Sequence, residues 1–365
     1  MEKASGSPSS PASLRWEILR RSFLSRSSPE PDHASQKSTK IVSRKAAGGF
    51  KLISCHPLRG HLSEDLGTSP RTKDLAGHRD VCICYKLPVA SVPNLTLVFK
   101  IPQAGPTSTD GRCGISYPFA MLTKCIDRYT CQRMEDCIDL NDFQISTGYS
   151  IDTTGLVCCW PSEDVLAYFC ISHLDMFRSK RVLELGSGYG LAGLAIAASS
   201  DACEVVISDG NPQVVDYIQR NISVNAGAFG NTKVKSMTLH WNEEPASDIL
   251  NSFDIIVASD CTFFKEFHES LARIVKSLLK YSEGSEAIFL SPKRGDSLDK
   301  FLENIMEAGL QYELVEKYDS RVWNLHQNFL EGRDTSWPNY LKDHCYPLLV
   351  KITHHEPEQP CHLSL

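Results

Sequence analysis

A glycine-rich segment in the second half of the chain carries the clearest chemical signal. It places Glu184, Gly186, Ser187, Gly188 and Gly190 between an apolar run and a stretch rich in Ala and Leu, which predicts a strand, a tight turn and a helix. Glycines allow positive φ angles and close approach of the backbone to a ligand, and the helix start offers N–H groups to a carboxylate or phosphate. The segment therefore predicts a nucleotide-type ligand at the carboxyl end of the strand.

Two classes of ligand remain open for this turn. Gly188, Gly190 and Gly193 also satisfy the G-x-G-x-x-G pattern of dinucleotide-binding proteins. Glu184 lies just before the first glycine, where its carboxylate would repel a pyrophosphate but attract the α-ammonium of S-adenosylmethionine. Asp209, at the end of the next predicted strand, could accept both hydroxyls of a ribose, which both ligands contain. Its alternative role is that of an acid at the start of the helix that follows.

Further candidate residues follow the other strands at the same predicted edge. Gly210 comes directly after the aspartate, and Trp241 follows the third strand in polar surroundings, where its indole could stack on adenine or pack in the core. Ser259 and Asp260 end the fourth strand, and Phe263 follows them. These residues would place a carboxylate and an aromatic ring where substrates bind in such folds, although Phe263 could equally pack under the next helix.

Short apolar runs alternate with helical patterns after Trp160, and this order positions the candidate residues. The runs cover 181–185, 204–208, 234–239, 253–259 and 287–291, and the clearest helical patterns cover 189–198, 212–225, 265–279 and 297–308. Such alternation predicts an α/β fold with a doubly wound, mostly parallel sheet. Two further apolar runs, 312–316 and 346–352, have little between them that repeats a helix, so we expect the sheet to end in an antiparallel pair.

Composition and periodicity divide the chain into five segments. Residues 1–40 are rich in Ser and Pro, apart from a basic amphipathic stretch at 14–24. Strand-like runs at 81–86 and 95–101 predict an antiparallel pair, whereas residues 102–138 show no helical or strand period. The segments are a largely disordered tail with a short basic helix (1–40), a β-rich extension (41–101), an irregular insert (102–138), the main domain (139–355) and a second tail (356–365).

The overall composition excludes several classes of function. The chain has 365 residues, 42% of them hydrophobic, and its 38 Lys and Arg against 44 Asp and Glu leave no overall basic field for nucleic acid. The longest nearly apolar stretch, 191–198, is too short to cross a bilayer, and no signal-peptide core follows Met1. The 14 cysteines include no C-x-x-C pair, so we expect reduced thiols and no metal site.

Taken together, these residues resemble the class I S-adenosylmethionine-dependent methyltransferases, whose seven-stranded fold ends in a reversed strand. Within that class the chain resembles the protein-lysine methyltransferases, through Trp160-Pro161, the segment 184–191, Asp209-Gly210, Trp241 and the D-x-x-[YF] element at 260–263. The similarity is closer to the calmodulin-lysine N-methyltransferases, through segments 154–169, 258–263, 291–295 and 346–350. The resemblance covers about residues 140–353 well.

The resemblance implies that the chain uses S-adenosylmethionine to methylate a lysine of calmodulin, up to trimethyllysine. It assigns Asp260 and Phe263 to catalysis, and to cofactor binding it assigns Trp160, Glu184, Gly186, Ser187, Gly188, Gly190, Asp209, Gly210, Trp241 and Ser259. Two departures stand out, since Phe263 replaces the Tyr of most of the wider group and the insert at 102–138 has no counterpart.

Calmodulin is strongly acidic, so we expect a locally basic docking surface, with Lys293-Arg294 and Arg20-Arg21 as candidates. We expect a monomer in the cytoplasm and nucleus without nucleic-acid or membrane partners, and import into an organelle through residues 1–40 stays open. Three alternatives also stay open: the same reaction on another protein lysine, a NAD-dependent oxidoreductase, and a methyltransferase-like module that binds a partner without catalysis.

Overall fold

The structure is a computed structural model that describes residues 49–58, 80–90, 92–100, 160–337 and 340–355. The predicted tails at 1–40 and 356–365, the basic helix at 14–24 and the insert at 102–138 lie outside the described residues. The described part of the chain contains a three-stranded sheet and a seven-stranded sheet.

The three-stranded sheet precedes the main domain in the chain. Its strands are β1 (Ser54–Pro57), β2 (Asp80–Lys86) and β3 (Leu95–Lys100), and they pair in that order, each antiparallel to the next. The predicted antiparallel pair is therefore present as β2 and β3, and β1 adds a third strand that the sequence analysis did not include.

The seven-stranded sheet forms the centre of the main domain. Its strands are β4 (Arg181–Leu185), β5 (Glu204–Asp209), β6 (Lys233–Thr238), β7 (Ile255–Ser259), β8 (Glu286–Pro292), β9 (Leu310–Val315) and β10 (Pro347–His354). Their spatial order is β6-β5-β4-β7-β8-β10-β9, and β10 runs opposite to the other six strands. This topology confirms the predicted mostly parallel sheet and its antiparallel end. Because β4 and β7 are adjacent, their carboxyl ends open at the point where the strand order reverses.

Helices connect the strands and cover both faces of the sheet. They are α1 (Pro161–Ser172), α2 (Leu191–Ser199), α3 (Pro212–Val224), α4 (His268–Leu278), α5 (Ser297–Glu307), α6 (Ser320–Leu330) and α7 (Lys342–Cys345). Short 3₁₀ turns cover Leu174–Phe177, Ala226–Ala228 and Lys265–Phe267, so the predicted helix at 265–279 begins as one of these turns. In the part of the chain that is described, no helix is long and apolar enough to cross a membrane.

Neighbouring residues of the central strands supply two separate cores. Val182 of β4 packs in a cluster with Leu194 of α2, whereas Leu183 packs in a second cluster with Val275 of α4, and all four side chains are fully buried. Since successive side chains of a strand point to opposite faces, a strand buried on both faces is apolar throughout. This pattern makes the sheet doubly wound, as predicted.

The expectation that no helix lies between the last two strands is wrong. Helix α6 occupies this interval and buries Val322, His326 and Phe329, which lie one or two helical turns apart. The histidine is fully buried among aromatic rings and stacks on Tyr346 at 4.1 Å between ring centroids. A polar residue at the centre of the apolar face hid the helical period in the sequence.

Two asparagines of the third helical segment attach the small sheet to the main domain. The Oδ1 atom of Asn221 accepts a hydrogen bond from Val98 N at 2.7 Å, and Oδ1 of Asn225 accepts one from Thr96 N at 2.7 Å. Asn225 also donates through Nδ2 to Thr96 O at 2.6 Å. Asn221 and Asn225 lie one helical turn apart, and they bond to Val98 and Thr96, which lie two residues apart in β3. Their side-chain amides thus satisfy backbone groups that an edge strand leaves unpaired.

Candidate active site

The glycine loop, residues 186–190, joins β4 to α2 at the carboxyl edge of the sheet. Gly186, Gly188 and Gly190 have φ angles of 58°, 57° and 79°, a region that glycine adopts without strain. A Cβ atom on Gly186 would lie 2.8 Å from Cys261 Sγ and 3.1 Å from Trp241 Cζ2. The loop therefore requires glycine both for its backbone angles and for its contact with the indole.

Two carboxylates close the N-terminus of α2. The Oε1 atom of Glu163, in the first turn of α1, accepts a hydrogen bond from Ala192 N at 3.1 Å. The Glu163 carboxylate also accepts one from Leu191 N. Glu184 Oε2 accepts one from Gly193 N at 2.8 Å. The expectation that these N–H groups are free for a ligand carboxylate or phosphate is therefore wrong, because α1 starts beside α2 and brings its own acid there.

Glu163 and Glu184, named here the carboxyl pair, hold their protons more tightly than ordinary carboxyl groups. Burial raises the pKa of Glu163 to about 7, against the lowering effect of a hydrogen bond from Ser259 Oγ at 2.8 Å. Burial, followed by the charge of Glu163, raises the pKa of Glu184 well above its ordinary range. Two like charges this close do not both ionise readily, so the pair keeps at least one proton near neutral pH.

The structure places Glu184 beneath the first turn of α2. Its side chain is buried. Ser259, a second predicted cofactor residue, lies next to it through its hydrogen bond to Glu163. The Glu184 carboxyl group also shares a hydrogen bond with Glu163, so the pair places buried acids where a cationic ligand group would be attracted.

Asp209 lies at the end of β5 and orients the glycine loop. Its Oδ2 atom accepts a hydrogen bond from Gly188 N at 3.2 Å, and its Oδ1 atom accepts one from Asn211 N at 2.9 Å. Asn211, not Asp209, caps the next helix, since its side chain accepts the Gln213 N–H at 2.9 Å. Asp209 is therefore not the cap itself, although its bond to Asn211 N places it beside the start of α3, and its carboxylate is partly exposed.

Two further predicted cofactor residues border the loop. Trp241 is partly buried and packs edge-on against Phe267, with ring centroids 5.9 Å apart, while its ring edge lies against Gly186. Gly210 follows Asp209, and a Cβ atom there would lie 3.6 Å from His240, an ordinary contact, so the position does not require glycine for space. Trp241 thus borders both the core and the loop, so its stacking on adenine stays a prediction.

A second group of side chains, the Arg294 cluster, consists of Trp160, Asp260, Phe263 and Arg294. Arg294 Nη1 lies 2.6 Å from Asp260 Oδ1, and the two side chains are only 11% and 4% exposed. The guanidinium carbon also lies 5.3 Å from the ring centroid of Trp160 and 5.0 Å from that of Phe263. The carboxylate oxygens of Asp260 accept no hydrogen bond of good geometry from the described residues.

The Arg294 cluster includes two residues with unfavourable backbone angles. Asp260 has a φ angle of 57° and Arg294 one of 45°, although neither is a glycine. Such conformations persist only where the surrounding structure enforces them, and they concentrate at functional sites. Here the fold holds an acid and a base in strained positions facing each other.

The cluster corrects one prediction for the docking surface. Arg294 is buried against two rings and an aspartate, so it is not available to an acidic partner, whereas Lys293 is half exposed and lies 3.4 Å from Asp299. The strand β8 ends just before these residues, and the turn through Arg294 directs the guanidinium inward. The other candidates, Arg20 and Arg21, lie outside the described residues.

The structure brings the predicted site residues to one edge of the sheet, but it divides them into two groups. Trp160, predicted at the cofactor, has Arg294 as its observed aromatic-face partner and so belongs to the second group. Sequence reasoning missed Glu163 and the inward position of Arg294. A first-turn acid is common in helices, which hides Glu163, whereas the Arg-Gly step directly after a strand was a usable signal for a tight turn.

Cys261 and the other thiols offer no second chemistry at this edge. Burial raises the pKa of Cys261 well above its ordinary range, and the thiol donates to Leu185 O at 3.4 Å. A protonated, buried thiol is a poor nucleophile. Within the described residues, no group of three or more His, Cys, Asp or Glu side chains could hold a metal ion.

The residues at the glycine loop fit an adenosine with a cationic tail better than they fit a dinucleotide. A pyrophosphate would need free N–H groups at the start of α2, and it would meet the charge of the carboxyl pair there. An ammonium group would instead meet the acidic side chains of the carboxyl pair, and a ribose would lie beside Asp209. The geometry disfavours the oxidoreductase alternative.

Comparisons with known proteins agree on one kind of chemistry. The family described as lysine methyltransferase matches residues 141–308. A calmodulin-lysine N-methyltransferase of Arabidopsis thaliana is 52% identical over 345 residues, which cover 94% of this chain and 97% of that protein. The mouse protein-lysine N-methyltransferase EEF2KMT is 30% identical over 47% of this chain and 54% of its own length.

Among solved structures, a ribosomal protein L11 methylase from Lactobacillus delbrueckii subsp. bulgaricus has a TM-score of 0.36 and 17% identity, covering 54% of this chain and 80% of its own.

Proposed function

The chain belongs to the lysine methyltransferase family and, within it, to the calmodulin-lysine N-methyltransferases, and we propose that it transfers methyl groups from S-adenosylmethionine to the ε-amine of a lysine in calmodulin. The family membership makes the protein an enzyme of protein-lysine methylation. The cofactor and the individual protein substrate are the proposed parts. We further propose that successive transfers end at trimethyllysine.

One observation carries the choice of cofactor. The carboxyl pair occupies the N-terminus of α2, where a dinucleotide would place its pyrophosphate, and it brings two buried acids into contact there. S-adenosylmethionine carries an α-ammonium and a sulfonium, both positive, so a site lined by acidic side chains favours it over a pyrophosphate. Asp209 would accept the ribose hydroxyls, and Trp241 would contact the adenine.

The chemistry requires a neutral amine in line with the methyl group. When bound, S-adenosylmethionine supplies an electrophilic methyl whose S–C bond breaks as the lysine lone pair forms the N–C bond, with the electron pair of the broken bond remaining on sulfur. The protein contributes by position rather than by a covalent step. A free lysine has a pKa of about 10.4, so about one side chain in several thousand is neutral at pH 7.

The Arg294 cluster supplies the surroundings for the amine. Asp260 follows β7 at the same edge as the glycine loop, and Ser259 beside it contacts the carboxyl pair, so the two groups of side chains are directly connected. Phe263 presents an aromatic ring without a hydroxyl group, which would line the lysine channel and exclude water. Exclusion of water favours the neutral amine over the ammonium.

The test is methylation of purified calmodulin by the full-length protein. Unmodified calmodulin is incubated with radiolabelled S-adenosylmethionine, and its lysine peptides are weighed by mass spectrometry. We expect up to three methyl groups on one lysine. The variant Asp209→Ala should bind the cofactor at least about tenfold more weakly, because hydrogen bonds to a charged group are lost. Asp216→Ala, an exposed acid on α3, is the matched control and should leave binding unchanged.

The other outcomes distinguish the alternatives. Cofactor binding without transfer to calmodulin would favour another protein substrate or a module that binds without catalysis. Binding of NAD in place of S-adenosylmethionine would reject the proposal and restore the oxidoreductase.

A further inference from the structure

The Arg294 cluster contains the groups that proteins use to bind a lysine ammonium, and a cation of the chain itself already engages them. An ammonium is recognised by a carboxylate and by the faces of aromatic rings. Here the carboxylate is Asp260 and the rings are Trp160 and Phe263, and all three contact the guanidinium of Arg294. An incoming ammonium would therefore meet a positive charge where it would otherwise bind.

This positive charge is permanent. An arginine side chain does not lose its proton in a protein, whereas a lysine does so when its surroundings disfavour the charge. The ion pair neutralises Asp260, so the carboxylate has little charge left to attract a second cation. The side chain of Asp260 is 4% exposed and that of Arg294 is 11% exposed, so water screens the pair weakly.

The backbone gives an independent indication that the arrangement is specific. Both Asp260 and Arg294 have positive φ angles, and the N–H of Arg294 donates to Asp343 O at 2.6 Å, which fixes the turn after β8 against α7. The strained turn holds this guanidinium between the two rings.

The other charged groups near Arg294 come from three elements. Asp260 follows β7, and Cys345 lies in α7, where burial raises the pKa of its thiol so that it stays neutral. Asp343 of α7 offers its carbonyl, and its side chain is exposed. Lys293, on the same turn, is half exposed and pairs with an aspartate of α5. Among these groups, Asp260 is the acid that contacts the guanidinium.

We propose that Arg294 is a positioning residue that makes the acceptor site select the neutral amine of the substrate lysine. The inference rests on the proposed function. The guanidinium occupies the cation position beside Asp260 and between Trp160 and Phe263, so a lysine reaches the site only after its proton has left to solvent. A like charge lowers the pKa of the bound amine, and only the neutral amine can attack a methyl group.

The test is the pH dependence of the single-turnover rate of methyl transfer to calmodulin, which reports groups in the enzyme–substrate complex. In Arg294→Gln, Asp260 is left without its cation and stabilises the ammonium. We expect the acid limb of the profile to move up by about one pH unit. The rate at pH 7 then falls about tenfold and recovers at higher pH. Arg294→Lys keeps the charge and should keep the limb near its original position.

Arg220→Gln is the matched control. Arg220 also pairs with an aspartate, Asp80, at 2.6 Å and lies over an aromatic ring, that of Tyr217, at 5.0 Å, but it holds the small sheet on α3. Its rate and its pH profile should match those of the unchanged enzyme. A loss in Arg294→Gln that is the same at every pH would overturn the proposal, since it would indicate a purely structural role.

A second measurement uses the unaltered enzyme and so does not depend on the folding of a variant. The methylated lysine of calmodulin, identified by mass spectrometry, is replaced by Met or by Arg, and each product is tested as an inhibitor. We expect the neutral Met form to inhibit at a lower concentration than the cationic Arg form. Stronger inhibition by the Arg form would overturn the proposal. Methylation of native calmodulin in the same assay keeps the proposed function separate from either result.

Discussion

The carboxyl pair and the Arg294 cluster both place acidic side chains at the carboxyl edge of the sheet, but they balance the negative charge differently. Glu163 and Glu184 face backbone N–H groups of α2 and keep a proton between them. Asp260 faces the fixed charge of Arg294 and accepts no hydrogen bond of good geometry from the described residues. The first arrangement balances its charge with a proton, and the second balances it with a guanidinium.

This difference corresponds to two tasks of a methyltransferase. A site whose negative charge can increase is suited to a cationic ligand, because an incoming ammonium lowers the pKa of the acids and displaces their proton. A site whose carboxylate is already paired with arginine has no excess charge to offer a cation. The same edge of the sheet can therefore attract a charged cofactor on one side and admit an uncharged amine on the other.

The largest effect should come from Asp260→Asn, which keeps the shape of the side chain but leaves Arg294 buried without a counter-charge. Removal of one partner of a buried ion pair costs about 4 kcal/mol. We expect the free energy of unfolding in urea to fall by about this amount, together with loss of methyl transfer. Because asparagine has nearly the same volume as aspartate, these losses would show that the charge of Asp260 is what balances Arg294.

Asp175→Asn is the control for Asp260→Asn. Asp175 also pairs with an arginine, Arg178, at 2.7 Å, but both side chains are largely exposed. Exposed pairs contribute little, so unfolding should change by less than about 0.5 kcal/mol. Equal effects of the two variants would contradict the role assigned to the Arg294 cluster.

The second largest effect should come from Gly193→Ala, which disturbs the carboxyl pair without removing a charge. A Cβ atom on Gly193 would lie 2.6 Å from Oε2 of Glu184 and 2.7 Å from Cγ1 of Ile207. Overpacking of a core typically costs between about 1 and 3 kcal/mol, and the N–H to Glu184 is also disturbed. We expect unfolding in urea to become easier by about 2 to 3 kcal/mol and cofactor binding to weaken.

Gly227→Ala tests whether the effect is specific to the crowded position. A Cβ atom on Gly227 would have nothing within 4 Å, so the free energy of unfolding should stay within about 0.5 kcal/mol. If both variants were equally harmless, the close packing of α2 on Glu184 would be wrong.

The fold and one half of the site could be predicted from the sequence. Alternation of apolar runs and helical patterns identifies the sheet, and the strand, turn and helix around Gly186 locate the ligand because that signal is local. The positions of Glu163 and Arg294 depend on contacts between segments far apart in the chain, such as the approach of α1 to α2. Helix α6 escaped prediction because a buried histidine occupies the centre of its apolar face.

A smaller effect, with a clear sign, should come from Glu163→Gln. Its pKa is about 7 in the folded protein, above the ordinary value of 4.5, so the folded state binds the proton more tightly than the unfolded state. The contribution of this group to stability is complete below pH 4.5 and is lost as the pH rises to about 7. Glutamine does not titrate, so the variant should gain stability relative to the original protein as the pH rises across this window.

Unfolding in urea at several pH values, without cofactor, measures this difference for Glu163→Gln. Plotted against pH, the difference in free energy of unfolding should rise between pH 4.5 and about 7 and level off above pH 7. A stability difference that is constant with pH would mean that Glu163 is ionised throughout, and the contrast between the carboxyl pair and the Arg294 cluster would then disappear.

The smallest effect should come from Phe263→Tyr, which adds a hydroxyl to the Arg294 cluster without changing its charge. The hydroxyl would hydrogen-bond the amine and occupy space that added methyl groups need. A net hydrogen bond of about 1 kcal/mol corresponds to a several-fold change, so we expect several-fold less trimethyllysine relative to monomethyllysine at equal turnover, measured by mass spectrometry. Phe264→Tyr is the control, because its ring packs edge-on against Phe263 at 4.8 Å but does not contact Arg294 in the cluster. An unchanged product ratio in Phe263→Tyr would place the methylated amine away from this ring, and the cluster would then not be the acceptor site.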